Sequence, residues 1–261
     1  PEQIAEMVAA MQSDAGCGVL VVRGQQLSAE AHERALFRFA PHFGAPIRYD
    51  RWPGQSKGVE GRPHLSLLGN YRARVRDDLG VKCAPGETIG EYKPARDAIE
   101  EWHTDGSFLA LPKSAICLYA PGWLADALPP EGGETRFASC ARAYDALEPA
   151  ERARLDALAS VHSWELFMRL LEARDPARPK ATAADVALKP DVAWPLVRAH
   201  PDTGRRALYV NPKNTRRVVE LSPGWPLHSA PGQRATPAGD DAAGAALARE
   251  LAERVLASGV Y

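Results

Sequence analysis

The sequence predicts a mainly β chain with flanking helices, and three observations carry that expectation. Short apolar runs bounded by Gly and Pro occupy the middle of the chain, and helical apolar spacing occurs near both ends. A composition of 45% hydrophobic and 25% charged residues over 261 positions supplies material for one large core. No internal repeat and no composition shift marks a second domain, so a single domain over residues 1–261 is expected.

In chain order, Ile4, Val8 and Met11 recur at helical spacing and the pattern stops at Gly16. "GVLVVRG" (18–24) then reads as a buried strand closed by Gly24. Ser28 stands where it would cap a second helix running to Gly44, although no Glu or Gln follows where a capping box would put one. "HLSLLGN", "AICLYAP" and "GETRFAS" are short strand candidates. Helices return over 140–159, where Pro149 divides the run in two. "WPLVRAHPDTGRRALYVNP" reads as two strands joined by a turn at Asp202 and Gly204. The Ala-, Pro- and Gly-rich stretch 228–246 reads as a mobile loop, and Leu247, Leu251 and Val255 then mark one side of an amphipathic helix.

A formal net charge of -1 offers no electrostatic footprint for nucleic acid or an anionic membrane, which leaves a small molecule as the expected partner. Association into a homo-oligomer is left open. Cys17, Cys83, Cys117 and Cys140 are widely spaced, which argues against a zinc-cysteine site and a disulfide scaffold, and the apolar settings of Cys17 and Cys117 suggest buried thiols. No apolar run reaches eighteen residues and no basic segment opens the chain, so a cytoplasmic protein is expected. The start at Pro1 suggests that a longer polypeptide precedes it.

"EEWHTDGSF" (100–108) raises the chemical question. In an extended strand residues i and i+2 share a face, so His103 and Asp105 could offer an imidazole nitrogen and a carboxylate oxygen to one point. With a distant histidine they would complete the two-histidine, one-carboxylate set that binds non-haem iron(II). His-Thr-Asp could equally be polar turn chemistry.

Read together and in order, "GVLVVRGQQLS", "FGAP", "EEWHTDGSF", "PEGGETRFAS" and "RAHPDTGRRALYVN" resemble the taurine dioxygenase (TauD/TfdA-like) family of iron(II)- and 2-oxoglutarate-dependent dioxygenases. The resemblance implies a double-stranded β-helix, the jelly-roll, cupin-like barrel, decorated by helices. It implies that His103 and Asp105 are iron ligands, that the Thr135 hydroxyl contacts 2-oxoglutarate, and that Tyr49 and Trp52 in "RYDRWPG" line the substrate pocket, although ordinary aromatic packing would suit the last two equally. Fe(II), 2-oxoglutarate as cosubstrate and O2 are the implied cofactors. The implied reaction hydroxylates or oxidatively cleaves a small, anionic organic substrate and releases succinate and CO2. A carboxylate at Asp105, where related halogenases have a small residue, favours hydroxylation.

Two departures stand out. Ile99 lies four positions before His103, where the taurine enzyme has an amide, which argues against taurine. The family's late segment, with its distal histidine and 2-oxoglutarate-binding arginine, has no counterpart here. Both residues, with the last barrel strands, are therefore expected beyond Tyr261; the alternative is a shortened, non-catalytic binding module. A metal-dependent hydrolase or isomerase on a cupin-like barrel is a third reading. Of the other histidines, His200 matches a turn residue, structural places suit His32, His42, His64 and His162, and His228 is a remote metal candidate. Arg205, Arg206, Arg216 and Arg217 read as solvated strand ends in preference to an anion-steering group.

Overall fold

The computed structural model describes residues 2–13, 18–48, 58–59, 61–66, 102–120, 135–174, 180–221, 233–234 and 242–257. The chain divides into two compact units, one of Pro1–Ile99 with Ser114–Gly133, the other of Glu100–Lys113 with Glu134–Tyr261.

The first unit holds helices α1 (Glu2–Gln12) and α2 (Ala29–Phe43) and the antiparallel pair β1 (Gly58–Val59) and β2 (Arg62–Ser66). Ser28 caps α2 as its side chain predicts, its hydroxyl accepting the Ala31 N–H at 3.1 Å. Gly44 closes the helix by donating its N–H to the Ala40 carbonyl at a φ of +103°. Tyr119 binds residues 114–120 to the start of α2: its hydroxyl accepts the Leu27 N–H at 2.8 Å, donates to the Leu27 carbonyl, and its ring stacks on His32 at 5.0 Å.

Two expected strands do not form here. Residues 18–24 and 115–120 pair with no strand among the described residues, and Val21, Val22, Ile116, Cys117 and Leu118 are exposed. Their β-branched, apolar sequences fit a pleated surface, but strand identity needs a partner backbone, which propensity does not supply. For the same reason the expectation of a buried Cys117 does not hold.

The second unit is built on an antiparallel sheet in the order β7–β3–β4–β8, comprising β3 (Leu158–His162), β4 (Val192–Pro195), β7 (Thr215–Glu220) and β8 (Gln233–Arg234). β5 (Val197–Ala199) and β6 (Arg206–Leu208) form the expected hairpin, with Gly204 at a φ of +71° in its turn. His200 is indeed a turn histidine, its Nδ1 accepting the N–H groups of Asp202 and Thr203. Pro149 divides the helical run as expected, starting α4 (Pro149–Asp156) after α3 (Cys140–Asp145). α5 (Trp164–Arg174) and α6 (Ala183–Leu188) follow β3. α7 (Ala242–Ala257) lays Ala248, Leu251, Ala252 and Val255 into a core with Leu155, Leu196, Leu208 and Val218. Most of the stretch 228–246 and His228 lie outside the described residues, and its end already belongs to α7.

The paired arginines are not solvated strand ends. Arg217 is buried, Arg216 bridges Glu165 at 2.8 Å and Asp191 at 2.9 Å, Arg206 meets Asp156 at 2.6 Å and Arg205 meets Asp145 at 3.2 Å. The guanidinium groups of Arg205, Arg206 and Arg216 are held by carboxylates packed against them, Asp145 of α3, Asp156 of α4, Glu165 of α5 and Asp191 just before β4.

Ser160 and His162, two apart on β3, are both fully buried. The Ser160 hydroxyl donates to the Tyr209 carbonyl at 2.7 Å, so its contact with His162 Nε2 at 2.9 Å requires the imidazole to donate. Nδ1 is then the acceptor facing the Thr215 hydroxyl at 3.5 Å, and the ring is neutral. Burial lowers its pKa from 6.5 to about 3. Between those values the unfolded chain binds a proton that the folded chain refuses, so stability falls as pH drops below 6.5, by about 1 kcal/mol per unit from this group. Replacing His162 with Gln should flatten the dependence of the unfolding midpoint on pH between 6.5 and 4; an unaltered slope would mean that the imidazole is not the group protonated on unfolding.

Candidate functional site

The segment 102–108 is irregular through Thr104 and turns from Asp105. Gly106 takes a φ of +72°, and a Cβ there would stand 3.2 Å from Leu109 Cδ1, so conformation and space both call for glycine. The turn closes with the Leu109 N–H on the Gly106 carbonyl at 2.9 Å. The pair therefore sits at the entry to a turn and not in a strand ladder, yet its side chains converge as the spacing suggests. His103 Nε2 lies 3.1 Å from Asp105 Oδ1.

Asp105 Oδ2 accepts a hydrogen bond from Lys113 Nζ at 3.0 Å. The hydrogen bond from His103, aided by the Lys113 ammonium and opposed by partial burial, holds the Asp105 carboxyl well below the usual carboxylate range. The carboxylate is thus ionised throughout the neutral range, with one oxygen turned to the imidazole and the other to the ammonium.

Two features, one polar and one aromatic, fix this turn. Asn211, almost fully buried, donates from Nδ2 to the Thr104 carbonyl at 2.8 Å and to the Ser107 hydroxyl at 3.0 Å. Phe108 stacks on Phe167 of α5 with ring centroids 6.4 Å apart. The backbone that carries His103 and Asp105 is therefore held by the connection that precedes β7 and by α5.

The donor set suits a first-row divalent ion. Imidazole and carboxylate ligands stand about 2.0–2.2 Å from such ions, which places adjacent ligands of an octahedral centre roughly 3 Å apart. The 3.1 Å between Nε2 and Oδ1 matches that spacing. Among the described residues no third His, Cys, Asp or Glu joins them. Thr135 is exposed, and the guanidinium of its neighbour Arg136 lies 5.5 Å above the ring of Trp102, the residue before His103. Tyr49, Trp52, Ile99, Gly132 and Gly133 lie outside the described residues.

Sequence reasoning missed Lys113, Asn211 and Ser107. Lys113 is eight positions after Asp105 and reads as a solvated loop cation. Asn211 and Ser107 read as turn residues, and nothing local in "YVNP" or "DGSF" reports that the two meet in the interior.

Comparison with known proteins bears on this arrangement. The family model described as taurine catabolism dioxygenase TauD, TfdA family, matches residues 2–253. An alpha-ketoglutarate-dependent 2,4-dichlorophenoxyacetate dioxygenase from Cupriavidus pinatubonensis is 29% identical over 192 residues, covering 74% of this chain and 59% of that protein. A pentalenolactone F synthase from Streptomyces avermitilis is 32% identical over 218 residues, covering 78% of this chain and 61% of its own length. The chain thus spans about three fifths of the length of each. The crystal structure of a taurine dioxygenase from Burkholderia xenovorans aligns with 100% of this chain and 67% of its own at a TM-score of 0.54 and 23% identity, a likeness of fold. The match over residues 2–253 settles the family, and the chain belongs to the TauD/TfdA dioxygenases.

Proposed function

We propose that the protein is an iron(II)- and 2-oxoglutarate-dependent dioxygenase with a double-stranded β-helix barrel formed as one domain, acting on a small organic acid. The observation that carries this reading is the convergence of His103 Nε2 and Asp105 Oδ1 at 3.1 Å on a clamped turn, within a chain of this family. His103 and Asp105 hold the metal, with a further histidine and the arginine that binds 2-oxoglutarate supplied from outside the described residues. Bound iron supplies the activation of O2, coupled to oxidative decarboxylation of 2-oxoglutarate to succinate and CO2.

The chain's own residues prepare that site. Lys113 occupies Oδ2 of Asp105, which leaves Oδ1 to face the metal, so the carboxylate serves through one oxygen. A metal held by this pair would replace the contact between His103 Nε2 and Asp105 Oδ1, with the imidazole ligating as its neutral Nδ1–H tautomer. Thr135 donates its hydroxyl to a carboxylate oxygen of 2-oxoglutarate, and Tyr49 and Trp52 line the substrate pocket. An anionic substrate is supported by the likeness to the 2,4-dichlorophenoxyacetate dioxygenase, whose substrate is a carboxylate. The paired arginines add no support for it, because carboxylates of the chain engage Arg205, Arg206 and Arg216.

Succinate release from 2-oxoglutarate by the full-length protein, assayed with Fe(II) against phenoxy acids, sulfonates and amino acids, tests this function. His103→Ala and Asp105→Ala should each abolish release without lowering the unfolding midpoint by more than a few degrees, since both side chains lie on a partly exposed turn; near-normal turnover by either would sink the ligand assignment. Thr135→Val should weaken the apparent affinity for 2-oxoglutarate by about 1.5–3 kcal/mol, the worth of a hydrogen bond to a charged group. An unchanged affinity would remove Thr135 from the cosubstrate site.

A further inference from the structure

We propose that Asn211 is a positioning residue for the metal centre: its buried carboxamide clamps the chain on both sides of Asp105 and sets how His103 and Asp105 project. The inference rests on the reading of those two side chains as metal ligands.

The orientation of the carboxamide is determined by its partners. Oδ1 accepts the Lys213 N–H at 3.0 Å, so Nδ2 points the other way, toward the Thr104 carbonyl at 2.8 Å, the Ser107 hydroxyl at 3.0 Å and Asn214 Oδ1 at 3.1 Å. Two hydrogens serve three acceptors, and the two shorter contacts both reach the ligand turn. The backbone of Asn211 is equally constrained: its N–H meets the Thr215 hydroxyl at 2.8 Å, and its carbonyl accepts the Thr215 N–H at 2.7 Å. The clamp is therefore an extension of the start of β7, with no freedom to follow the turn if the turn moves.

What it holds matters more than how many bonds it makes. Thr104 lies between the two side chains, so the direction of its carbonyl sets the plane of the Thr104–Asp105 peptide and with it how Asp105 is turned toward His103. Ser107, fully buried, lies just after the left-handed Gly106. With Nδ2 removed, the Thr104 peptide is free to rotate and the 3.1 Å approach of Nε2 and Oδ1 is no longer imposed by the fold. Outer groups that orient metal ligands typically change metal affinity by about 10- to 100-fold.

The test measures Mn(II) binding to the metal-free, full-length protein by the loss of the free-ion electron paramagnetic resonance signal, alongside the unfolding midpoint. His103→Ala, Asn211→Ala and Ser107→Ala are compared with Leu251→Ala, which opens the apolar core of the same unit outside the polar network of Asn211. The proposal expects Asn211→Ala to bind Mn(II) about 10- to 100-fold more weakly and Leu251→Ala to keep wild-type affinity even where its midpoint falls as far. Affinity within twofold of wild type in Asn211→Ala, with binding lost in His103→Ala, overturns the clamp and leaves the ligand reading standing. An equal loss in Leu251→Ala would show general destabilisation and overturns it as well. If Asn211→Ala does not fold, Ser107→Ala decides, with weaker binding supporting the clamp and wild-type binding overturning it. Wild-type binding in His103→Ala would show instead that the ligand reading has failed, and the clamp falls with it.

Discussion

A buried carboxamide must find partners for its oxygen and both of its hydrogens, and at Asn211 that requirement joins the parts of the second unit together. Left unpaired, such a group costs about 1–3 kcal/mol for each unmet bond. Its partners are the Thr104 carbonyl, the Ser107 hydroxyl, Asn214 and the Lys213 N–H, so the turn bearing His103 and Asp105 and the start of β7 are fixed in one network. The network continues through the Thr215 hydroxyl to the neutral imidazole of His162 and on to Ser160 and the Tyr209 carbonyl. A polar seam of this kind within an apolar core tolerates few alternative arrangements, because each displaced group would strand another.

Above the seam the electrostatics change character. Asp105 is partly exposed and stands between an imidazole and an ammonium, and its carboxyl stays ionised far below neutral pH. A divalent ion at the pair would replace the contact between His103 Nε2 and Asp105 Oδ1, with the imidazole ligating as its neutral Nδ1–H tautomer. Lys113 stands on the far oxygen, where it restrains the carboxylate without contesting that position.

How much of this was legible follows from the range of the interactions involved. Local signals were read correctly: the Ser28 cap, the break at Pro149, the hairpin turn at Gly204 and the inward side of α7 each depend on residues within a few positions of one another. The pairing of His103 with Asp105 was legible for the same reason, although the strand expected to display it is a turn that the left-handed Gly106 permits. Strand partners and buried ion pairs were not. The exposed runs 18–24 and 115–120 look like buried strands by composition, and Arg217 looks like surface by type, because burial depends on what packs against a residue from elsewhere in the chain. Asn211 and Thr104 are more than a hundred positions apart, beyond the reach of any single-sequence pattern.

The central claim is that a divalent ion binds at His103 and Asp105. Its most direct test is titration of Mn(II) into full-length protein with isotopically labelled histidine, following the imidazole nitrogen resonances of the seven histidines in residues 1–261. The account predicts that the His103 signals broaden and vanish first, at substoichiometric Mn(II). Preferential broadening of any other of these seven, with His103 spared, would contradict it.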